Sequence, residues 1–517
     1  MHPKALLDAA SDLVLRVLRL DHPADAVVSQ FFREHRGLGP RERATLAETA
    51  YAVLRRKPLY EHLARSGTGG RERRLAILGF AAPRDFLKQA LTEAEKPWLD
   101  ACDAAIAAGE LPEACRHNLP AWLVEPLRQQ LGSEFDALAQ ALLQAAPLDL
   151  RVNTMLQKRE LAAQELKALG FDSTPTPHSP WGLRLAGKPA LTRLEPFQKG
   201  RIEVQDEGSQ LLALLLDARR GEMVTDFCAG AGGKTLAIGA AMRSTGRLYA
   251  FDVSAHRLDA LKPRLKRSGL SNVHPVAIAH ERDERIKRLA GKMDRVLVDA
   301  PCTGLGTLRR NPDLKWRQSP ASVAELVAKQ QAILQSAARL LKPGGRLVYA
   351  TCSLLADENE AIATEFGSQH PGFAPLPVAD LLTGLKLADA AALCTPDGAF
   401  LRLWPHRHGT DGFLPRCGSG PADAQGTNPC LAGAPAGPKI LSILSPAKER
   451  TWHAIFRPSS RACISLKARA GTRAASGFPT SIRTRSIRRA RMAATCGWKR
   501  AWPSNLRARA GCPMGGC

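Results

Sequence analysis

The chain has 517 residues, 44% of them apolar, which is enough for two to four domains with buried cores and excludes a disordered protein. Its formal net charge of +24 suits a polyanionic partner, but 18 of the 73 Lys and Arg and only two of the 49 acids follow Phe413, so the first 413 residues are only moderately basic. No apolar run approaches the ~18–20 residues that span a bilayer, and no C-x-x-C pair marks a zinc ribbon or thioredoxin-type site.

Residues 1–140 read as all-helical. Leu6, Leu7, Ala10, Leu13, Val14, Val17 and Leu18 share one helical face over 5–20, and 41–54 and 75–87 repeat the pattern, with Pro23 and Pro40 between. Arg16, Arg19, Arg33, Arg36, Arg41, Arg43, Arg55, Arg56 and Lys57 crowd these helices, either as a solvated face or as an RNA-contacting one. The start, Met1-His2-Pro3-Lys4, leads into charged amphipathic sequence rather than a signal peptide, so a cytoplasmic protein with free thiols is expected.

Residues 141–200 turn mixed. Strands are expected at 148–154 and 182–185, and a helix at 159–169 ended by Gly170, together a small α+β insert. From 201 to 413 strands and helices alternate. Strands are expected at 223–227, 247–251, 295–298, 346–350 and, late, 400–404, and helices to Met242 and over 256–268, 321–341 and 356–369. Lys342-Pro343-Gly344-Gly345 reads as a helix stop. Such alternation is the pattern of an α/β fold, a doubly wound, Rossmann-like parallel sheet.

After Phe413 the character changes. Residues 414–517 hold six of the twelve cysteines and ten of the 36 prolines, while Trp452, Trp498 and Trp502 keep no helical or strand period. A working disordered tail is usually poor in Cys and Trp. The segment reads as an out-of-frame translation of a GC-rich gene, or alternatively as a basic RNA-binding extension.

Three strand ends carry the chemistry. Strand 223–227 runs into the loop Cys228-Ala229-Gly230-Ala231-Gly232-Gly233-Lys234-Thr235. A Walker A loop needs Gly at 228, and the dinucleotide pattern from Gly230 needs Gly at 235, so neither ATP nor NAD is indicated. A glycine-rich turn followed by Asp252 at the next strand end suits an adenosine-type ligand, with the carboxylate on both ribose hydroxyls. Asp299-Ala300-Pro301-Cys302 and Thr351-Cys352-Ser353 each follow an apolar strand, which places two thiols on the sheet edge where ligands bind. The segment from Gly306 to Trp316, with Arg309, Arg310 and Lys315, suits phosphate contacts and base stacking.

Together, the loop 226–235, Asp299–Cys302, Arg309-Arg310-Asn311-Pro312-Asp313 and Thr351-Cys352-Ser353 resemble the RNA cytosine-5 methyltransferases, and among them the bacterial Fmu/RsmB (Sun) enzymes of small-subunit ribosomal RNA. Arg151-Val152-Asn153, Val204–Gln210 and His408-Gly409-Thr410-Asp411-Gly412-Phe413 also look like that family. Ala231 stands where the family more often has Pro, and Thr303 where it more often has Ser. The resemblance covers about residues 1–413 and implies a helical NusB-like RNA-binding domain, the insert, and an S-adenosylmethionine-dependent domain, in a monomer without metal or membrane. It assigns nucleophilic attack on cytosine C6 to Cys352, the release step to Cys302, and contact with the base's N3 and N4 edge to Asp299. For the cofactor it implies Cys228–Lys234, Asp252 for the ribose, Asp299 near the methionine part, and an acid for the adenine amino group, Asp283 or else Glu281. It also implies a last antiparallel strand after Phe413, which the altered tail puts in question. A DNA cytosine-5 methyltransferase, which uses the Cys302-type thiol alone, and a catalytically impaired RNA-binding or assembly protein are the rival readings.

Overall fold

A computed structural model describes residues 1–187 and 189–421. The reading of residues 422–517 as an out-of-frame or RNA-binding tail lies outside the described residues. The first helices, Pro3–Val17, Ala24–Glu34, Pro40–Arg55 and Arg71–Gly79, bury Leu7, Leu13, Phe31, Leu46, Leu54, Leu75 and Ile77 in one core. The helix expected over 75–87 is two, Arg71–Gly79 and Arg84–Lys88, because the residue before Pro83 is pushed out of helical geometry. The crowd of basic residues is partly engaged within the module: Arg16 pairs with Asp12 and Glu34, Lys57 with Glu61, and Arg55 is buried, while Arg33, Arg36 and Arg41 are exposed. The helices Ala121–Leu131 and Phe135–Leu142 belong to another core. Their Leu123, Leu127 and Leu138 pack with Leu305, Leu354 and Trp404 of the sheet domain, so the core changes hands between Cys115 and Leu119.

The insert is a four-stranded antiparallel sheet of β1 (Leu148–Val152), β2 (Ser173–Pro175), β3 (Gly182–Leu185) and β4 (Ile202–Val204), in the order β2-β3-β1-β4. Helix Arg159–Ala168 covers it through Ala162 and Leu166, which meet Leu150, Val152 and Leu183.

The large sheet takes β5 (Met223–Asp226), β6 (Arg247–Asp252), β7 (Val273–Ala277), β8 (Met293–Asp299), β9 (Leu341–Thr351), β10 (Ala374–Leu376) and β11 (Leu414–Ser419), in the order β10-β11-β9-β8-β5-β6-β7. The five strands from β9 to β7 are parallel, and β11 and β10 are antiparallel to their neighbours. Three expectations change. The long helix spans Pro320–Ala338, and Lys342–Gly345, read as its stop, lies inside β9. The strand expected at 400–404 is reduced to single bridges, Phe400 with Arg416 and Leu403 with Phe413, and Pro405 ends it. The edge thought to be unpaired after Phe413 is covered: Leu414 pairs with Thr351 and the register runs to Ser419 with Arg346. Leu414 and Cys417 face the core there. Backbone pairing asks little of side-chain identity, and Pro415 and Gly418 mask the strand in the sequence.

This moves the end of the folded unit past Phe413. A chain ending at Pro421 retains all of β11, whereas one ending at Phe413 uncovers β9 and is expected to melt lower than the Pro421 chain and to aggregate. Differential scanning fluorimetry and light scattering of the two truncations decide it; equal behaviour would remove β11 from the structural account.

The segment read as an RNA-contacting loop is instead a latch inside the protein. Lys315 Nζ donates to the carbonyls of Arg55 (2.9 Å) and Asn118 (2.7 Å), and Trp316 Nε1 donates to that of Leu54 (2.7 Å). Burial, reinforced by Arg55 and Arg56, brings the Lys315 ammonium down to about 7. Arg310 is held by Asp206 (2.8 Å) and Asp411 (2.9 Å), and Arg309 donates to the Gly409 carbonyl (2.9 Å). These cations are engaged internally, so the segment fastens the helical module to the sheet domain rather than presenting charge to a phosphate. Among the described residues no helix is long and apolar enough to cross a membrane.

Candidate functional site

Cys352 directly follows β9, and Cys302 lies three residues past β8, so the parallel pairing of these neighbouring strands brings both thiols to one edge. Their sulfurs are 3.3 Å apart. The turns are fixed by backbone bonds: Ala300 N–H donates to Ala350 O (2.9 Å) and Gly306 N–H to Cys352 O (2.8 Å). A Cβ on Gly306 would stand 2.2 Å from the Gly412 carbonyl oxygen and 2.8 Å from that of Cys352, so only glycine fits there. The hydrogen bond with Cys352, followed by burial, pushes the Cys302 thiol well above its ordinary pKa. Cys302 is therefore held as a thiol at neutral pH.

Asp299, the last residue of β8, pairs with Lys234 Nζ at 2.7 Å. Burial opposes the charge on Lys234, but Asp299, helped by Cys352 and Asp226, outweighs it and holds the ammonium above its ordinary range. Lys234 lies on the first turn of helix Gly233–Ala241, which the glycine loop launches from β5. Behind the loop, Asp226 is buried with Thr235 Oγ1 donating to it at 2.6 Å, and burial raises its carboxyl to about 7. At the end of β6, Asp252 accepts from the Gly230 N–H (2.8 Å) and the Ser254 N–H (2.7 Å), which fixes the carboxylate against the loop.

A cavity of about 750 Å³ joins these groups, walled by Gly230, Asp252, Glu281, Asp299, Cys302 and Cys352. Cys228, Ala229 and Ala231 also face it, whereas Gly232, Gly233 and Lys234 support the loop from outside the wall. Gly230 has φ 55° and nothing within 4 Å of a notional Cβ, so the loop leaves open space at the cavity. Asp283 is not in the wall. Its carboxylate caps the short helix Glu284–Lys287, accepting from the Ala279 and Arg285 N–H groups at 2.9 Å, which also lowers its pKa. Of the two acids considered after β7, the one in the cavity is Glu281. Two cations of the wall, Arg257 and Lys329, were not singled out by sequence; each lies on a helix whose polar positions carry no further mark.

Residues 213–415 match the family model for 16S rRNA methyltransferase RsmB/F, and residues 119–192 match the ferredoxin-like domain of RsmF/B-like methyltransferases. The second match spans the helices after Leu119, whose core is shared with the sheet domain, and most of the insert, whose core is its own. The chain is 37% identical over 301 residues to a probable ribosomal RNA small subunit methyltransferase B of Synechocystis, covering 58% of this chain and 66% of the relative. It is 33% identical over 297 residues to the probable small subunit methyltransferase B of Bacillus subtilis, covering 57% and 65%. It thus spans just under two thirds of the length of these relatives. Among solved structures, PH0851 superposes with a TM-score of 0.67 at 26% identity over 81% of this chain and 99% of its own. A methyltransferase homolog protein from Pyrococcus horikoshii gives 0.51 at 28% identity, over 59% and 97%.

Proposed function

We propose that this chain, which belongs to the RsmB/F methyltransferase family, transfers a methyl group from S-adenosylmethionine to C5 of a cytosine in small-subunit ribosomal RNA. The observation that carries this reading is the pair of sulfurs 3.3 Å apart at the wall of the cavity that Asp252 and Asp299 also line.

The cavity fits the cofactor by the chemistry of its donors and acceptors. Asp252 would hold the ribose hydroxyls, Glu281 the adenine amino group, and Cys228–Ala231 with Asp299 the methionine part. The bound cofactor supplies an electrophilic methyl group. Cytosine C5 is a poor nucleophile until C6 is saturated. Cys352 sulfur, as the thiolate, adds to C6; the C5–C6 π electrons shift toward N3, and C5 becomes an enamine carbon able to take the methyl. N3 takes a proton from water as the electrons reach it and returns it when the C5–C6 double bond re-forms; Asp299, held in place by Lys234 Nζ at 2.7 Å, accepts hydrogen bonds from the N4 amino group and from that N3–H. The C5 proton then leaves to Cys302, the C6–sulfur bond breaks and the C5–C6 double bond re-forms. The timing follows from the thiol contact. Once Cys352 is a thioether, the hydrogen bond that most raises the Cys302 pKa is gone; burial and the Glu358 charge still oppose ionisation, and Cys302 gives its proton to water before it takes the one from C5. The base must be single-stranded or flipped out to reach the thiols.

Labelled S-adenosylmethionine incubated with unmethylated small-subunit ribosomal RNA is expected to give 5-methylcytosine. Folded protein that binds the cofactor but labels another nucleotide, or none, would remove this reading.

A further inference from the structure

Glu358 is fully buried, in the short turn Ala356–Glu358 that follows the Cys352 loop. Neither sequence motifs nor the mechanism above use it. One of its oxygens accepts from the Thr303 N–H (2.9 Å) and Gln330 Nε2 (3.0 Å), and the other from Thr303 Oγ1 (2.6 Å) and Ser353 Oγ. The two hydroxyls are themselves 3.1 Å apart. Thr303 is the residue after Cys302, and Ser353 the residue after Cys352. Gln330 also donates to the carbonyl of Pro301 (2.9 Å), the residue before Cys302. Every donor to this carboxylate is neutral.

A carboxylate taken out of water without a cation is unfavourable, and an apolar residue of similar volume often serves stability as well or better. What an apolar residue cannot do is draw donors from two separate turns onto one group. We propose that Glu358 is a positioning residue, holding the Cys302 and Cys352 turns together so that both sulfurs serve adjacent carbons of one cytosine ring. This rests on the reaction proposed above. Sulfur placement is the quantity at stake, because a misplacement of about 1 Å can cost ~10²-fold in rate. The backbone pairing of β8 with β9 sets the strands' register, but it stops at Asp299 with Ala350, short of both cysteines. Beyond that point the Gly306 N–H to Cys352 O bond and the Thr303–Ser353 hydroxyl contact also link the turns, and Glu358 is the charged side chain that gathers donors from both.

The test uses the full chain as wild type, Glu358→Ala, Glu358→Gln and Thr303→Val. Glu358→Ala is expected to lower kcat for RNA methylation by about 10- to 100-fold, with cofactor Kd within twofold of wild type. Glu358→Gln should recover most of the rate: its amide oxygen can take the Thr303 and Gln330 N–H donors, and its NH2 can donate to hydroxyls that rotate to accept. Thr303→Val removes one arm and should give an intermediate loss, which keeps the proposal testable if the alanine variant does not fold. A second readout needs no RNA. Diamide takes one hydrogen from each of two neighbouring thiols, becoming a hydrazine and leaving a disulfide; Cys302–Cys352 coupling should be fast in wild type and about tenfold slower in Glu358→Ala. Wild-type rates of both methylation and coupling in Glu358→Ala would overturn the proposal. So would an equal loss of cofactor affinity, melting temperature and kcat, which marks a merely structural residue. If wild type makes no 5-methylcytosine, the reaction reading fails, and slower coupling in Glu358→Ala still reports what Glu358 holds together.

Discussion

Replacing Cys352 by alanine is expected to reduce methyl transfer by roughly 10⁴-fold or more, the scale seen when a covalent nucleophile is removed. Replacing Cys302 by alanine should instead leave a protein–RNA adduct that survives denaturation. The two thiols are chemically alike and 3.3 Å apart, so their division of labour has to come from their surroundings. The geometry divides them. Cys302 is held as a thiol, through its hydrogen bond to Cys352 and then burial. Cys352 lies in the field of the Lys234 ammonium, an interaction that also helps hold Lys234 charged. Attack therefore falls to Cys352, and proton removal, needed only after Cys352 has reacted, falls to Cys302. Denaturing gels of each variant with labelled RNA check the assignment. An adduct with Cys352→Ala and silence with Cys302→Ala would reverse the roles and favour chemistry of the DNA cytosine-5 type.

Much of this site was legible because strand ends are punctuated locally. Val296–Val298 before Asp299, and Leu347–Ala350 before Thr351, are apolar runs ended by polar or turn-forming residues, and parallel neighbours place such ends on one edge. Where function depended on a partner distant in sequence, the local signal misled. Arg310 looks like a phosphate ligand until Asp206 and Asp411, about a hundred residues away on either side, are seen to hold it. Asp283 looks like an adenine contact until its oxygens are found on backbone N–H groups four positions before it and two after. Strand β11 was hidden for a different reason: a strand paired on both sides needs backbone donors and acceptors more than a recognisable side-chain pattern. Glu358 carried no signal, since a charged residue just before a helix reads as solvated surface.

The Asp299–Lys234 pair should reveal itself in stability as well as in rate. Asp299→Asn keeps the size of the side chain but removes its charge. Methyl transfer is expected to fall by about 10²- to 10³-fold, as for loss of one preorganised electrostatic contact at a reacting group. The same change leaves a largely buried ammonium without its partner, at a cost toward the low end of the ~3–5 kcal/mol that follows breaking a buried pair. In the wild type, Asp299 raises the Lys234 pKa above its unfolded value of 10.5, so the pair's stabilisation is fully present below that pH and is lost only as pH rises through the higher folded value. In Asp299→Asn the two largest raising influences are gone, and burial, the largest single cause, lowers the pKa against only the weaker pulls of Cys352 and Asp226. The sign then inverts: folding of the variant is disfavoured progressively as pH falls from 10.5 toward neutrality, because the unfolded lysine binds a proton that the folded one resists. Thermal melts between pH 7 and pH 10 should show the variant gaining stability relative to wild type as pH rises. Adding Lys234→Met to Asp299→Asn should restore the melting temperature at pH 7 but not the methyl transfer, because the uncompensated charge is gone while the acceptor for the cytosine edge is still missing. Parallel pH–melting curves for wild type and Asp299→Asn would show that this pair is not the electrostatic unit at the cavity wall.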